Sequence, residues 1–139
     1  MNGMKLVVVV FVLLAFIAGG VSVALASAEP VDDLFAALSD QELDAALDVF
    51  AADAVVNDEA CHQYYAGQDE ISDALNLWAH DGREFEIVEI EENGDRVTAT
   101  VDISNNGHTW AQEKIEAVVE DGKLQQIDVT SFEFQFWRV

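Results

Sequence analysis

Residues 50–67 read FAADAVVNDEACHQYYAG, and this stretch decides the fold of the chain. It begins at the end of an amphipathic helical pattern and passes through the β-prone residues 54–56. Asp58 stands where the β pattern gives way to a polar, aromatic loop, and Gly67 introduces a second helical pattern. The stretch therefore predicts a helix, a short β segment ending in an acidic side chain, and another helix.

Helical periodicity lies on both sides of this stretch. Apolar residues recur every three or four positions across 32–50, which predicts a helix, a break and a second helix that ends near residue 51. Within that span, Ser39 and Glu42 have the spacing of a capping box that opens the second helix. A third helix is predicted over 68–80, with Trp78 on its apolar stripe.

The second half of the chain is typical of strands joined by Gly-containing turns. The four predicted strands cover residues 85–90, 97–104, 108–119 and 123–136. In the last one the apolar phase changes from odd to even positions, as seen in Ile127, Val129, Phe132, Phe134 and Phe136. A one-residue bulge near Thr130 and Ser131 would bury both sets. Helices followed by a run of antiparallel strands predict an α+β domain.

The N-terminus is predicted to be an export signal. Lys5 is the only charge in residues 1–28, an apolar run covers 6–18, and Ala26-Ser27-Ala28 provides a small-x-small cleavage site. Residues 29–139 would then form one secreted domain. The alternative is an uncleaved membrane anchor over residues 6–26, with the domain still outside the cytoplasm.

The composition is strongly acidic, with 27 acidic against six basic residues and a net charge of −21. Such a field repels nucleic acid and anionic lipid head groups, so binding to phosphates is excluded as a function class. The acidity indicates either solubility or a high-salt habitat, in which screening removes the self-repulsion.

Few motifs of catalysis or metal binding occur. Cys61 is the only cysteine, so no internal disulfide forms, and we expect a buried thiol, with an intermolecular disulfide as the alternative. The histidines have no metal-ligand spacing, and no Gly-rich phosphate loop or nucleophile elbow occurs. We therefore predict neither a metal site nor a cofactor.

The order of elements resembles the NTF2-like or SnoaL-like α+β roll over residues 32–136. The resemblance is carried by FAADAVVND at 50–58, GQDEI at 67–71 and DGKLQQI at 121–127. It implies helices packed on a curved, mainly antiparallel sheet of four to six strands around a conical pocket. It also implies that rolls of this kind pair through their sheets, so a homodimer through the sheet face is expected.

The catalytic pattern most similar to this chain is that of the ketosteroid isomerases. The resemblance implies that Asp58, at the end of the short β segment, occupies the place of their general base. Their oxyanion hole uses a tyrosine on the first helix, where this chain has Leu34 or Phe35. It also uses a protonated aspartate on the penultimate strand, near Ile115 here, with Glu113 and Glu116 on either side. Steroid isomerisation is therefore not expected.

Several polar and aromatic residues are candidates for a site. Asp58 could act as base with His62 assisting, or it could simply form a turn with its own backbone, and His62 could be a surface side chain. The resemblance implies that a pocket would be lined by the third helix and the inner sheet face. The aromatic residues expected there are Tyr64, Tyr65, Trp78, Trp110 and Phe132, and core packing is their alternative role.

Three functions remain compatible with the sequence. The first is an exported domain that binds a small hydrophobic molecule in its pocket, with no assigned activity. The second is an isomerase, cyclase or hydratase that uses Asp58 as general base. The third is a non-catalytic homodimerisation module whose cavity is filled by its own side chains. An open pocket containing Asp58 would favour the enzyme, and an aromatic cavity without converging polar groups would favour binding. A cone plugged by Trp78 and Trp110, with an exposed apolar sheet face, would favour the dimerisation module.

Overall fold

The computed structural model describes residues 27–135. Its helices are α1 (Glu29–Ser39), α2 (Leu43–Asp48) and α3 (Gly67–Trp78), followed by a single 3-10 turn at His80–Gly82. Its strands are β1 (Phe50–Asp58), β2 (Gln63–Ala66), β3 (Glu84–Asn93), β4 (Arg96–Asn105), β5 (His108–Glu120) and β6 (Lys123–Phe134). The predicted signal or anchor segment up to residue 26, and Phe136, lie outside the described residues.

The six strands form one curved, unclosed sheet in the order β2-β1-β6-β5-β4-β3. All neighbours are antiparallel except β1 and β6, which run parallel. The three helices pack on one face of this sheet, called the inner face below. The predicted α+β class and mainly antiparallel curved sheet are thus confirmed. Within residues 27–135, no helix is long and apolar enough to cross a bilayer.

Tight turns join the long strands, as the Gly-containing sequence pattern predicts. Asn106 and Gly107 both have positive φ and connect β4 to β5, with Asn105 and His108 as the last paired residues. Two consecutive positive φ angles define the turn whose twist matches a hairpin, and asparagine followed by glycine adopts them at little cost. Each hairpin therefore fixes the register of the strands that carry the candidate site.

The core lies between the inner face and the helices. α1 contributes Leu34, Phe35 and Leu38, and α3 contributes Ile71 and Leu75, all at most 2% exposed. The sheet residues packed against them share the buried phase of their strands and include Val97, Ala99, Val101, Ile115, Ala117, Ile127 and Val129. The residues between them in β4 are threonine and aspartate, so the outer face of that strand is polar.

The predicted bulge in the last strand is confirmed at Thr130. Ile115 pairs with Val129, whereas the preceding Lys114 pairs with Ser131, so Thr130 has no partner of its own on β5. The extra residue keeps Phe132 on the inner face together with Val129. Burial of the even-numbered set is only partial, however, because Phe132 is partly buried and Phe134 is 50% exposed.

The helix boundaries correct two details of the sequence prediction. α2 ends at Asp48, and β1 already begins at Phe50 and is longer than the predicted segment 54–56. The predicted capping box is also wrong, because α2 has no side-chain cap. The Ser39 hydroxyl instead donates to the Phe85 carbonyl and accepts from the Phe85 N–H. A tertiary contact with β3 therefore uses the hydroxyl that the local pattern assigned to the helix.

Candidate active site

Asp58 is the last residue of β1 and lies on the inner face. It is in register with Val129 of β6. It lies two residues after the fully buried Val56, and alternate residues of a strand share a face. Its Oδ1 accepts a hydrogen bond from the backbone N–H of Cys61 at 3.0 Å. The carboxylate therefore forms the turn that was one of its two expected roles, and its side chain is only partly buried.

Glu113 lies on the same face, in β5, and is almost completely buried. It is 8% exposed and stands in register between Val101 of β4 and Phe132 of β6. Burial, together with the negative charge of Asp58, raises the pKa of Glu113 to about 7, and the Arg83 guanidinium opposes this rise. No hydrogen bond to its carboxyl is found among residues 27–135. At neutral pH this side chain therefore exchanges between acid and carboxylate.

Two further titratable groups surround this pair. Tyr65 is in register with Val56 and so lies on the inner face, where burial and then Asp58 raise the pKa of its hydroxyl. Burial, the Asp58 charge and a hydrogen bond to Asp58 raise the pKa of the Cys61 thiol. Cys61 is exposed, however, so the expected buried thiol is wrong. Its place in the short β1–β2 turn leaves nothing to cover it.

An aromatic cluster, formed by Trp110, Phe132 and Phe134, adjoins Glu113. The Trp110 ring lies 6.2 Å from that of Phe132, edge to face, and 6.1 Å from that of Phe134, nearly stacked. Phe132 and Phe134 are 5.2 Å apart. Arg83 lies over the Trp110 ring, with its guanidinium carbon 5.1 Å from the ring centroid. Apolar rings and a cation thus border the two carboxyl groups.

Some of the other predicted site residues lie near Asp58 and Glu113, and some do not. His62 is exposed in the turn with φ of +57°, and within residues 27–135 no hydrogen bond or ion pair joins it to Asp58. Tyr64 is 62% exposed and points away from Tyr65 because alternate residues of a strand face opposite sides. Trp78 is partly buried at the end of α3 and packs against the core. Of the predicted residues, Asp58 acts on Glu113 through its charge and Phe132 is the cross-strand partner of Glu113. Tyr65 lies near Asp58, and Trp110 contacts Phe132.

Arg83 and the burial of Glu113 are the parts of the site that the sequence prediction missed. A signal for Glu113 exists in β5, where every other buried position is apolar: Ala111, Ile115, Ala117 and Val119. A carboxyl in that phase must be desolvated. Arg83 has no comparable signal, because its place follows from the turn before β3.

Other sources of chemistry are sparse in the described part of the chain. Leu34 and Phe35 are buried in the core, so α1 offers no hydrogen-bond donor at those positions. No group of three or more His, Cys, Asp or Glu side chains in residues 27–135 is arranged to hold a metal ion. An open groove of about 530 Å³ is lined by residues 41–45, which cover the end of the α1–α2 connection and the start of α2 and include none of the candidate site residues.

The arrangement can perform acid–base chemistry on a small molecule. A carboxylate at Asp58 can accept a proton, and the protonated form of Glu113 can donate a hydrogen bond or a proton. Because Glu113 is almost excluded from water, a hydrogen bond from it is stronger than one made in solution. The two acids therefore have different environments on one face, which is the pattern of a base and an acid with separate roles.

Comparisons with solved structures support the fold. An NTF2-like protein of unknown function from Cytophaga hutchinsonii is 17% identical, with 83% of this chain and 95% of that one aligned and a TM-score of 0.61. A hypothetical protein with a ketosteroid isomerase-like fold from Catenulispora acidiphila, in complex with trimethylamine, is 18% identical over 76% and 87% of the two chains, with a TM-score of 0.66. A candidate polyketide cyclase from Sinorhizobium meliloti is 24% identical over 73% and 94%, with a TM-score of 0.60.

Comparison with curated proteins gives no match. Residues 31–135, in contrast, match the SnoaL-like domain family, which covers all the described strands and almost all of α1. The match agrees with the order of elements, the curved sheet and the solved structures. The chain therefore belongs to the SnoaL-like domain family and has the NTF2-like fold.

Proposed function

We propose that this chain binds a small, uncharged and mainly apolar carbonyl compound beside Asp58 and Glu113, and catalyses a proton transfer on it. The observation that carries the proposal is the buried Glu113 carboxyl, whose pKa is raised to about 7 on the same face as Asp58. Burial without a hydrogen bond destabilises the ionised carboxyl and so lowers the stability of the fold. A catalytic role accounts for keeping such a group, whereas apolar binding does not require it.

The reaction would use the two acids in turn. Asp58 takes a proton from the carbon next to the carbonyl, and the electron pair of that C–H bond moves toward the carbonyl oxygen. Glu113, in its protonated form, donates a hydrogen bond to the developing oxyanion. Asp58 then returns the proton to the same or a neighbouring carbon. The net result is an isomerisation in which no atoms are gained or lost.

Charge and neighbours support this class of substrate. The net charge of −21 and the Asp58 carboxylate disfavour anions, whereas the aromatic cluster supplies apolar surface for an uncharged ring or chain. Two structural neighbours are described as having a ketosteroid isomerase-like fold and as a candidate polyketide cyclase.

Binding without catalysis is the second candidate. It is favoured by the aromatic cluster, because Trp110, Phe132 and Phe134 contact one another in a way that leaves Phe134 50% exposed. An apolar ligand seated on that exposed ring would be held by dispersion and burial alone. In this case Asp58 would serve only as the turn-forming residue that bonds the Cys61 N–H.

Proton exchange on a simple ketone tests the proposal. The probe is 2-tetralone in D₂O, and proton NMR follows the loss of its α-proton signals. We expect the wild-type protein to accelerate exchange, and Asp58→Asn to reduce that acceleration by roughly 10²–10⁴-fold because the base is lost. Asp53→Asn, an exposed aspartate on the same strand, is the control and should match wild type.

Equal exchange in wild type and Asp58→Asn would contradict catalysis by Asp58. Thermal melting with 2-tetralone then separates the candidates. If the ketone raises the melting temperature of both proteins equally while neither accelerates exchange, binding alone accounts for the site. If it neither binds nor exchanges, both candidate functions fail for this class of ligand.

We also propose that the domain acts outside the cytoplasm, possesses a cleaved signal and pairs through its sheet. The proposal of export is supported by the apolar run at residues 6–18 and the site at 26–28. Sequencing the N-terminus of the exported protein tests it, and residue 29 is expected first. Light scattering of the purified domain gives its oligomeric state, and a monomer at all concentrations would contradict the pairing.

A further inference from the structure

Arg83 lies immediately before β3 and is held in place by contacts with other residues. It directly follows the 3-10 turn His80–Gly82, in extended backbone conformation. Its guanidinium carbon lies 5.1 Å from the centroid of the Trp110 ring, within the range of a cation–π contact. The side chain is partly buried, so this contact is shielded from water on part of its surface.

One asparagine connects both partners of this contact. Asn105 Oδ1 accepts a hydrogen bond from Trp110 Nε1–H at 2.8 Å, which fixes the plane of the ring. Asn105 Nδ2 donates to the Asp81 carbonyl at 2.8 Å, which fixes the turn that precedes Arg83. The amide of one residue thus ties the Trp110 ring to the turn that precedes Arg83.

This arrangement places a positive charge near Glu113. The Trp110 ring contacts Phe132, and Phe132 is the cross-strand partner of Glu113. The charged groups that act on Glu113 are Asp58 from β1, which favours the protonated acid, and Arg83, which favours the carboxylate. Cys61 in the β1–β2 turn and Tyr65 on β2 complete the titratable groups on this side.

We propose that Arg83 is a positioning residue of the candidate active site, held on Trp110 by Asn105 so that its charge offsets the Glu113 carboxylate. The role given to Arg83 rests on the proposed function, whereas the effect of Arg83 on the Glu113 titration can be measured without any substrate. Without an opposing charge, burial and Asp58 would raise the pKa of Glu113 further, and a less acidic carboxyl is a weaker hydrogen-bond donor to the oxyanion. With Arg83 in place, both forms of Glu113 are populated near pH 7.

The titration of Glu113 itself tests the inference without any substrate. Carbon-13 NMR of the glutamate side-chain carboxyls, assigned with Glu113→Gln, gives the midpoint in each variant. We expect Arg83→Met to raise the midpoint by about one pH unit. Arg83→Lys retains the charge and should restore most of the difference. Arg96→Met is the matched control, since it removes the same charge from an exposed arginine paired with Glu116.

A midpoint in Arg83→Met equal to that in Arg96→Met would overturn the inference, because a merely structural arginine affects packing without affecting this titration. If Arg83→Met does not fold, Asn105→Ala replaces it. Freeing Trp110 should raise the midpoint part of the way, and an unchanged midpoint would equally overturn the inference. If the protein accelerates ketone exchange but Arg83→Met leaves the Glu113 midpoint unchanged, only this inference is contradicted. If Arg83→Met raises the Glu113 midpoint but the protein does not accelerate exchange, only the proposed function is contradicted.

Discussion

The Glu113 carboxyl lowers the stability of the fold because it is buried, and the same burial makes it suited to act as an acid. Among residues 27–135 it is the only charged side chain that is buried, and Asp58 adds a like charge to the cost of desolvation. The Arg83 charge offsets part of that cost, and no hydrogen bond to the Glu113 carboxyl is found among residues 27–135. The folded protein therefore holds a proton on Glu113 at pH values where the unfolded chain has released it.

The stability of the protein should depend on this proton. Because the folded pKa of about 7 exceeds the ordinary 4.5, the folded state binds more protons between these values, and stability falls as pH rises through that window. The full effect above pH 7 is roughly 3 kcal/mol. Glu113→Gln has no such proton, so urea unfolding should show it more stable than wild type at pH 8, relative to their difference at pH 4.

A matched change on the outer face isolates this effect. Glu116→Gln alters the same strand at an exposed ion pair with Arg96, and its stability difference from wild type should change little between pH 4 and pH 8. If Glu113→Gln behaves like Glu116→Gln, Glu113 is ionised at neutral pH in the folded protein, and its assignment as the acid is wrong.

The sequence predicted only part of this site at the level of single residues. Asp58 could be located because it ends a recognisable β pattern, and Trp110 and Phe132 because the resemblance to the roll implies that the inner sheet face lines a pocket. His62 could not be excluded, since its φ of +57° depends on the turn that Asp58 closes. Arg83 depends on Asn105, which lies 22 positions further along the chain, and no local pattern reports such a contact.

At the scale of elements, the fold depends on the buried stripe of α3. Leu75 is 1% exposed in the core, whereas Leu77 of the same helix is 61% exposed. We expect Leu75→Ala to lower the free energy of unfolding by about 2–5 kcal/mol, because a buried side chain is lost and a cavity remains. Leu77→Ala should change it by less than about 0.5 kcal/mol.

Urea denaturation of the two alanine variants measures this difference directly. Both replacements have the same helix propensity change, so propensity cancels in the comparison. Equal losses would mean that α3 does not pack on the sheet as described, and the position of the helix above β1 would then need revision.

The elements themselves were largely predictable, and the exceptions have physical causes. Strict alternation and Asn-Gly turns determine β4 and β5, and the change of phase in β6 requires a bulge, which occurs at Thr130. The parallel pairing of β1 with β6 brings together residues about 70 positions apart and so has no local signal. The same holds for the Ser39 hydroxyl, which a contact with Phe85 diverts from its helix.

At the scale of the whole molecule, charge should dominate the response to salt. A net charge of −21 on a chain of 139 residues opposes the compact state through self-repulsion. Raising the ionic strength from 0.01 to 0.1 M shortens the Debye length from about 30 to about 10 Å. We expect stability to rise over this range by about 1 kcal/mol, or roughly 4–8 °C in melting temperature.

Differential scanning calorimetry in potassium chloride measures this response. The low concentration range matters, because general salting-out effects on apolar surface are small there. A melting temperature that is flat or falls with salt would show that the acidic surface does not destabilise the fold, and the high-salt explanation of the composition would be wrong.

The pH dependence of ketone exchange tests the pairing of Asp58 with Glu113 most directly. In wild type, the rate of 2-tetralone exchange should fall as pH rises through about 7, because Glu113 then loses the proton that it donates to the developing oxyanion. Glu113→Gln keeps a hydrogen-bond donor that does not titrate, so its slower exchange should show no fall near pH 7. The same fall in both proteins, or none in wild type, would contradict the role of Glu113 as the acid.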